Sequence, residues 1–253
     1  MAETSGGALT RIARGAYGPV PAFVAVPSGA GPWPGVVVVH DALGMTEDLR
    51  NQARWLADAG YLAAAPDLFH WGRHIRCVVR VMRDLARGTR GPAFADLAAV
   101  QGWLAHHPQG TGRVGIMGFC LGGGFALMLA PRHGYSASAV NYGGMSEQAW
   151  DRLAHACPIV ASYGGNDPTL KGTSARLEGV LASHGIPHDV KEYQGVGHGF
   201  MNDHAPGDSP WIFTVLARLS RTRYDERATL DARRRIARFF DTHLKGGART
   251  DDR

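Results

Sequence analysis

Residues 35–40, GVVVVH, are apolar at successive positions, so both faces of an extended chain there need cover. A strand inside a sheet, with other layers packed on both sides, meets that demand. The rest of the chain repeats the theme. PAFVAVP, YLAAAPD, RVGIMGF, SASAVNYGG, PIVASYGG and HDVKEYQ read as further strands. Helical patterns lie between them. TEDLRNQARWLADAG puts Leu49, Ala53, Leu56 and Ala57 on one face and closes on Gly60; another stretch carries Ile75, Val78, Val79, Met82 and Leu85. PAFADLAAVQGWLAHH follows, then helices near 121–133, 147–155 and 172–184, and a last one over roughly 225–244. Such alternation implies crossover connections, and so an α/β protein with a mostly parallel central sheet and helices on both faces. No repeat, low-complexity tract or linker interrupts it. Residues 1–253 are therefore expected to form a single domain, with 67–92 lying over the end of the sheet where ligands bind.

Composition removes several classes of function. Three cysteines leave at least one unpaired, which argues against a disulfide framework and for a reducing compartment. MAETSGGALTRIARG has no apolar core of a leader, and runs such as VVVV and ALMLA are too short to span a bilayer. A cytoplasmic protein with no membrane partner is expected. The net charge of +5 comes from basic residues dispersed along the chain. Their densest cluster, DARRRIARFF, has apolar residues at helical spacing on its other side and reads as a solvated helix face, so no nucleic-acid partner is expected.

The stretch IMGFCLGGGFAL, residues 116–127, puts Cys120 where a strand ends and a helix begins, in the pattern G-x-C-x-G. A strand–turn–helix of this kind holds its central residue in a strained conformation. Side chains two residues before and after would collide, which explains Gly118 and Gly122. The helix N-terminus beyond it favours a thiolate and an oxyanion. Free cysteine is often only a small buried hydrophobe, the reading that suits Cys77 and Cys157. For Cys120 the glycine frame favours a nucleophile.

A free thiol has a pKa of about 8.5 and needs a base at neutral pH. Asp167 follows the strand PIVASYGG and His198 follows HDVKEYQ, giving the order nucleophile, acid, base in three loops at strand ends. His106, His107, His184 and His188 lie at helix ends and turns, where surface histidines are common. His204 comes six residues after His198, but no spacing of histidines, cysteines or acids supports a metal site, and no metal is expected.

VVVVHDALG, LADAGYLAAAPDLF, GFCLGGGFAL, GGNDP and GHGF together resemble the dienelactone hydrolases, or carboxymethylenebutenolidases, of the α/β-hydrolase fold, over about residues 20–244. The resemblance implies a small ester or lactone as substrate, no cofactor, and a Cys120–His198–Asp167 triad working through a thioester. It implies an oxyanion hole from the backbone N–H groups of Leu121 and Ala42. Members hold the resting thiol on a glutamate; the matching residue here is Asp41, one methylene shorter. They also hold a substrate carboxylate with arginines, one of them four residues after the histidine, where this chain has Asn202. The other falls among Arg73, Arg76, Arg80 and Arg83, with Arg76 the candidate. Trp71 and Tyr142 are expected at the mouth, suiting an apolar or aromatic acyl group. The same residues also fit a thioesterase or other acyl-transferring hydrolase, and a scaffold that binds without catalysis remains a third reading.

Overall fold

A computed structural model of the chain describes residues 6–88, 90–131, 134–204 and 223–246. Its strands are β1 (Gly7–Gly15), β2 (Gly18–Ala25), β3 (Trp33–Val39), β4 (Leu62–Pro66), β5 (Gly110–Phe119), β6 (Ala137–Asn141), β7 (Ile159–Gly164) and β8 (His188–Tyr193). They form one eight-stranded sheet in the order β1-β2-β4-β3-β5-β6-β7-β8. β2 runs antiparallel to β1 and β4, and every pair from β4 to β8 is parallel.

Between the strands lie α1 (Glu47–Asp58), α2 (His74–Ala86), α3 (Pro92–Ala105), α4 (Leu121–Leu129), a 3-10 helix (Glu147–His155), α5 (Thr173–Ser183) and α6 (Glu226–Phe240). β3 shows why both faces must be covered. Val36 and Val38 enter the core beneath α1 and α6, while Val37 and Val39 enter the core beneath α2, α3, α4 and α5. All four valines are fully buried, each contributing about 1.5–3 kcal/mol of transfer free energy. α1 starts on Thr46, whose hydroxyl accepts the Leu49 N–H, and its first turn carries Glu47 and Asp48.

Two elements differ from the sequence expectation. β1 was not anticipated. It is an edge strand with a register shift between Ile12 and Arg14, and Leu9 on it is 60% exposed. The segment after Ser146 is a 3-10 helix that buries Ala149, Trp150 and Leu153. Because β3 and β5 to β8 are parallel, their carboxyl ends collect the loops carrying residues 40–46, 120, 142–146, 165–172 and 194–204 at one edge of the sheet.

Candidate active site

Cys120 lies between β5 and α4 with φ 52° and ψ −110°, a conformation that costs an L-residue of order 1–3 kcal/mol and persists only where its surroundings enforce it. They do. A Cβ on Gly118 would lie 2.0 Å from the Gly122 carbonyl oxygen, and one on Gly122 would lie 2.2 Å from that of Val39 on β3. The Cys120 N–H donates to the Asn141 carbonyl at 3.0 Å, fastening the turn to the end of β6, and its carbonyl accepts the Gly124 N–H at 3.1 Å as the first bond of α4.

Opposite stands the pair His198 and Asp167. His198 Nδ1 donates to Asp167 Oδ2 at 2.6 Å, and Asp167 Oδ1 accepts from the Thr169 N–H at 2.8 Å and its hydroxyl at 2.6 Å. Asp167 is 3% exposed, and burial alone would raise its pKa; the bonds from His198 and Thr169 outweigh burial and hold it below its ordinary value. Burial would lower His198, but hydrogen bonds to Asp167 and to Cys120 raise it to about 10. With Nδ1 committed to Asp167, Nε2 is the nitrogen left for the sulfur.

The loop after β3 approaches from the other side. His40 is buried; its Nε2 accepts the Leu68 N–H at 3.1 Å, so Nδ1 carries the proton and donates to the Asp41 carbonyl at 2.6 Å. Burial lowers the His40 pKa and keeps it neutral. The Ala42 carbonyl accepts from His74 Nε2 at 3.1 Å. The Asp41 carboxylate is held from two sides. Its Oδ1 accepts the Leu43 N–H at 2.8 Å, and its Oδ2 meets His204 Nε2 at 2.7 Å. His204, set aside in the sequence as one histidine among many, is thus the side-chain partner of the acid expected to control the thiol.

Tyr142 and Asn202 depart from expectation. Tyr142 has φ 42° and is 1% exposed; its ring lies edge-on to His198, with centroids 5.1 Å apart. Its hydroxyl donates to Asn202 Oδ1, and Asn202 Nδ2 donates to Asp48 Oδ2 at 2.7 Å. Asp48 also accepts the Asp203 N–H at 3.0 Å, and Gln52 bonds the Met201 carbonyl and takes a bond from Arg233. Both polar ends of Asn202 are spent inside this network, so it braces the site from below and offers no hand to a substrate. Burial, and then the charges of Asp48, Asp41 and Cys120, push the Tyr142 pKa far up and keep it a neutral donor. Sequence reading passed over Asp48 and Gln52 because polar residues in an amphipathic helix read as its wet face.

Trp71 is half-buried and donates its indole N–H to Asp96 at 3.0 Å; Asp96 also accepts from His70 and from the Ala16 N–H, tying this loop to the turn between β1 and β2. Arg76 is exposed on the first turn of α2. Among the described residues, no three histidines, cysteines or acids are grouped to hold a metal ion, and no helix is long and apolar enough to cross a membrane.

The model of the dienelactone hydrolase family matches residues 20–244. The chain belongs to that family. Among its relatives, the carboxymethylenebutenolidase of Pseudomonas putida is 28% identical over 227 residues, covering 84% of this chain and 92% of that one. The carboxymethylenebutenolidase of Rhodococcus opacus is 29% identical over 195 residues, covering 72% and 76%. The fold is also that of the crystal structure of dienelactone hydrolase from Anabaena variabilis, which superposes with a TM-score of 0.68 at 18% identity, covering 96% of this chain and all of the other. This dienelactone hydrolase family member is thus an α/β-hydrolase-fold protein and a hydrolase of the carboxylic ester and lactone class.

Proposed function

We propose that the chain hydrolyses a small ester or lactone through Cys120, His198 and Asp167, with residues 1–253 acting as one domain and no cofactor. The observation that carries this reading is a strained cysteine between strand and helix that bears electrostatically on His198, which Asp167 orients. The Cys120 thiol passes its proton to His198 Nε2, and the resulting imidazolium steadies the thiolate beside it. The sulfur attacks the substrate carbonyl, and the N–H groups of Leu121 and Ala42 receive the oxyanion. Collapse expels the alcohol, which takes the proton from His198 and leaves a thioester. Acylation removes the sulfur's negative charge, one of the influences holding His198 up, so the imidazole becomes a better base toward water. Water attacks, its proton goes to His198, and the acid leaves as the thiol is restored.

Asp41, paired with His204, opposes a permanent thiolate by like-charge repulsion. With Asn202 turned into the interior, no guanidinium stands four residues after the histidine, which favours neutral esters over dienelactone. The three free cysteines support a cytoplasmic location. The test is p-nitrophenyl acetate turnover together with intact-mass detection of an acetyl adduct in His198→Gln. Cys120→Ala is expected to abolish both turnover and adduct. Turnover at the wild-type rate in Cys120→Ala would refute the assignment.

A further inference from the structure

Residues 73–90 hold six arginines against one acid, Asp84, and so account for a charge equal to the whole chain's +5. Asp84 faces inward, 5% exposed, beside Gly91 and the Ala93 N–H. The arginines face out, and α2 sorts them. Arg76, Arg80, Arg83 and Arg87 recur at i, i+4, i+7 and i+11, forming one row along the helix. Ile75, Val79 and Met82 recur at i, i+4 and i+7, forming a second row beside it, and they are 57%, 61% and 57% exposed. Cys77, Val78 and Val81 form the third row and seat the helix on the core. A helix anchored to a core needs only that inner row. The outer apolar row stays more than half exposed after folding, and exposing three apolar side chains side by side is unusual for a surface helix.

The arginine row continues into a groove of about 450 Å³ between α2, the α2–α3 connection and the turn at Tyr17, lined by Arg80, Arg83, Arg87 and Arg90 together with the single acid Asp84. Arg80 reaches across it to the Tyr17 hydroxyl at 3.3 Å, and Tyr17 is itself 57% exposed. A row of aliphatic side chains alongside a row of arginines suits the boundary between acyl chains and anionic headgroups. There the first row enters the apolar layer and the second meets phosphates. A second copy of the chain docked along this helix would set arginine against arginine.

We propose that α2 is a docking face for an anionic phospholipid surface. This is contact from one side, distinct from a span, and it goes beyond the hydrolytic reading. The N-terminal end of the helix lies beside the catalytic loops, where His74 bonds the Ala42 carbonyl. A protein docked through α2 therefore holds its catalytic edge near the layer into which apolar esters partition.

The test is co-sedimentation of the full chain with vesicles of phosphatidylcholine, alone or with about 30% phosphatidylglycerol, at about 0.1 M salt. Binding to the anionic vesicles is expected to exceed binding to the neutral ones by about tenfold or more. Arg87→Gln with Arg90→Gln should weaken it by about thirtyfold, and Val79→Ser with Met82→Ser by about tenfold. All four positions are exposed, so p-nitrophenyl acetate hydrolysis and the circular dichroism spectrum should stay at wild type, which reports an intact fold independently of docking. Equal binding to both vesicle types, or variants that bind like wild type, would overturn the proposal. So would displacement by excess inorganic phosphate at constant ionic strength, which would mark the groove as a site for a lone anion. A concentration-dependent dimer lost in Val79→Ser with Met82→Ser would assign the face to a second copy. Retention on an acidic protein without retention on anionic vesicles would assign it to a protein partner, and either result overturns the lipid assignment.

Discussion

Replacing Asp167 with asparagine exchanges one oxygen for an amide at nearly constant size, so the effect falls on hydrogen bonding. In the wild type Oδ1 holds the Thr169 N–H and hydroxyl while Oδ2 holds His198 Nδ1 at 2.6 Å. Asparagine can keep its oxygen on Thr169, which turns its NH2 toward Nδ1. An NH2 group only donates, so Nδ1 must become the acceptor and the ring proton must move to Nε2, the nitrogen that should take the thiol proton. The size of the loss follows from His198. Its rise from 6.5 to about 10, against the pull of burial, corresponds to about 5 kcal/mol of preference for the imidazolium. The bonds to Asp167 and Cys120 share that preference. If Asp167 holds half, its removal costs about 2–3 kcal/mol, or roughly 30- to 160-fold, before the misplaced proton is counted. With both effects kcat/KM should fall by about 10²- to 10⁴-fold. Thr169→Ala, which leaves the carboxylate charge and the His198 bond in place, should cost about tenfold or less. Steady-state hydrolysis of p-nitrophenyl acetate at neutral pH measures both. An Asp167→Asn protein within about threefold of wild type would mean that Asp167 does not orient the base.

The same pair makes stability depend on pH. His198 titrates higher when folded than when unfolded, so its contribution is complete below about 6.5 and is lost as pH rises toward about 10. The gap in melting temperature between wild type and His198→Gln should therefore shrink from pH 6.5 to 10, and a gap that widens over that range would contradict the raised value. Asp41→Ala should let iodoacetamide label Cys120 faster at about pH 6–7 while lowering turnover, and His204→Ala, which removes the side-chain partner of Asp41 Oδ2, should change the labelling rate as well. Superimposable labelling curves would reduce Asp41 to a loop anchor for the Leu43 N–H. Asn202→Ala strands the buried Tyr142 hydroxyl and one oxygen of Asp48, and should cost about 2–4 kcal/mol in urea denaturation; a change under about 0.5 kcal/mol would mean the network contributes little.

What the sequence made legible were the features with a strong local rule. Four consecutive valines can be buried only inside a covered sheet, and the structure divides Val36 to Val39 between two cores. Glycine at 118 and 122 is forced by backbone approaches near 2 Å, so the turn around Cys120 announces itself. β1 lacked such a rule. An edge strand buries few side chains, and with Leu9 and its arginines facing water its alternation is faint. The polar network was hidden for the opposite reason. Asp48 and Gln52 occupy positions in α1 that pattern alone assigns to solvent, and their partners Asn202 and Met201 lie about 150 residues away.

Asp41 and Asn202, the two positions where the resemblance led to the expectation of a glutamate and an arginine, both have their polar atoms engaged inside the protein. Asn202 is 7% exposed because Tyr142 and Asp48 need a residue that donates at one end and accepts at the other; an amide does both, whereas a guanidinium only donates and would leave the Tyr142 hydroxyl without its acceptor. A fixed cation is thereby lost from that turn. The carboxylate of Asp41 still requires a donor besides the Leu43 N–H, and His204 supplies it from two residues further along. The exchange alters the chemistry as well as the address. Arginine would present a rigid fork of donors at this place, whereas the imidazole of His204 meets Asp41 through the single Nε2.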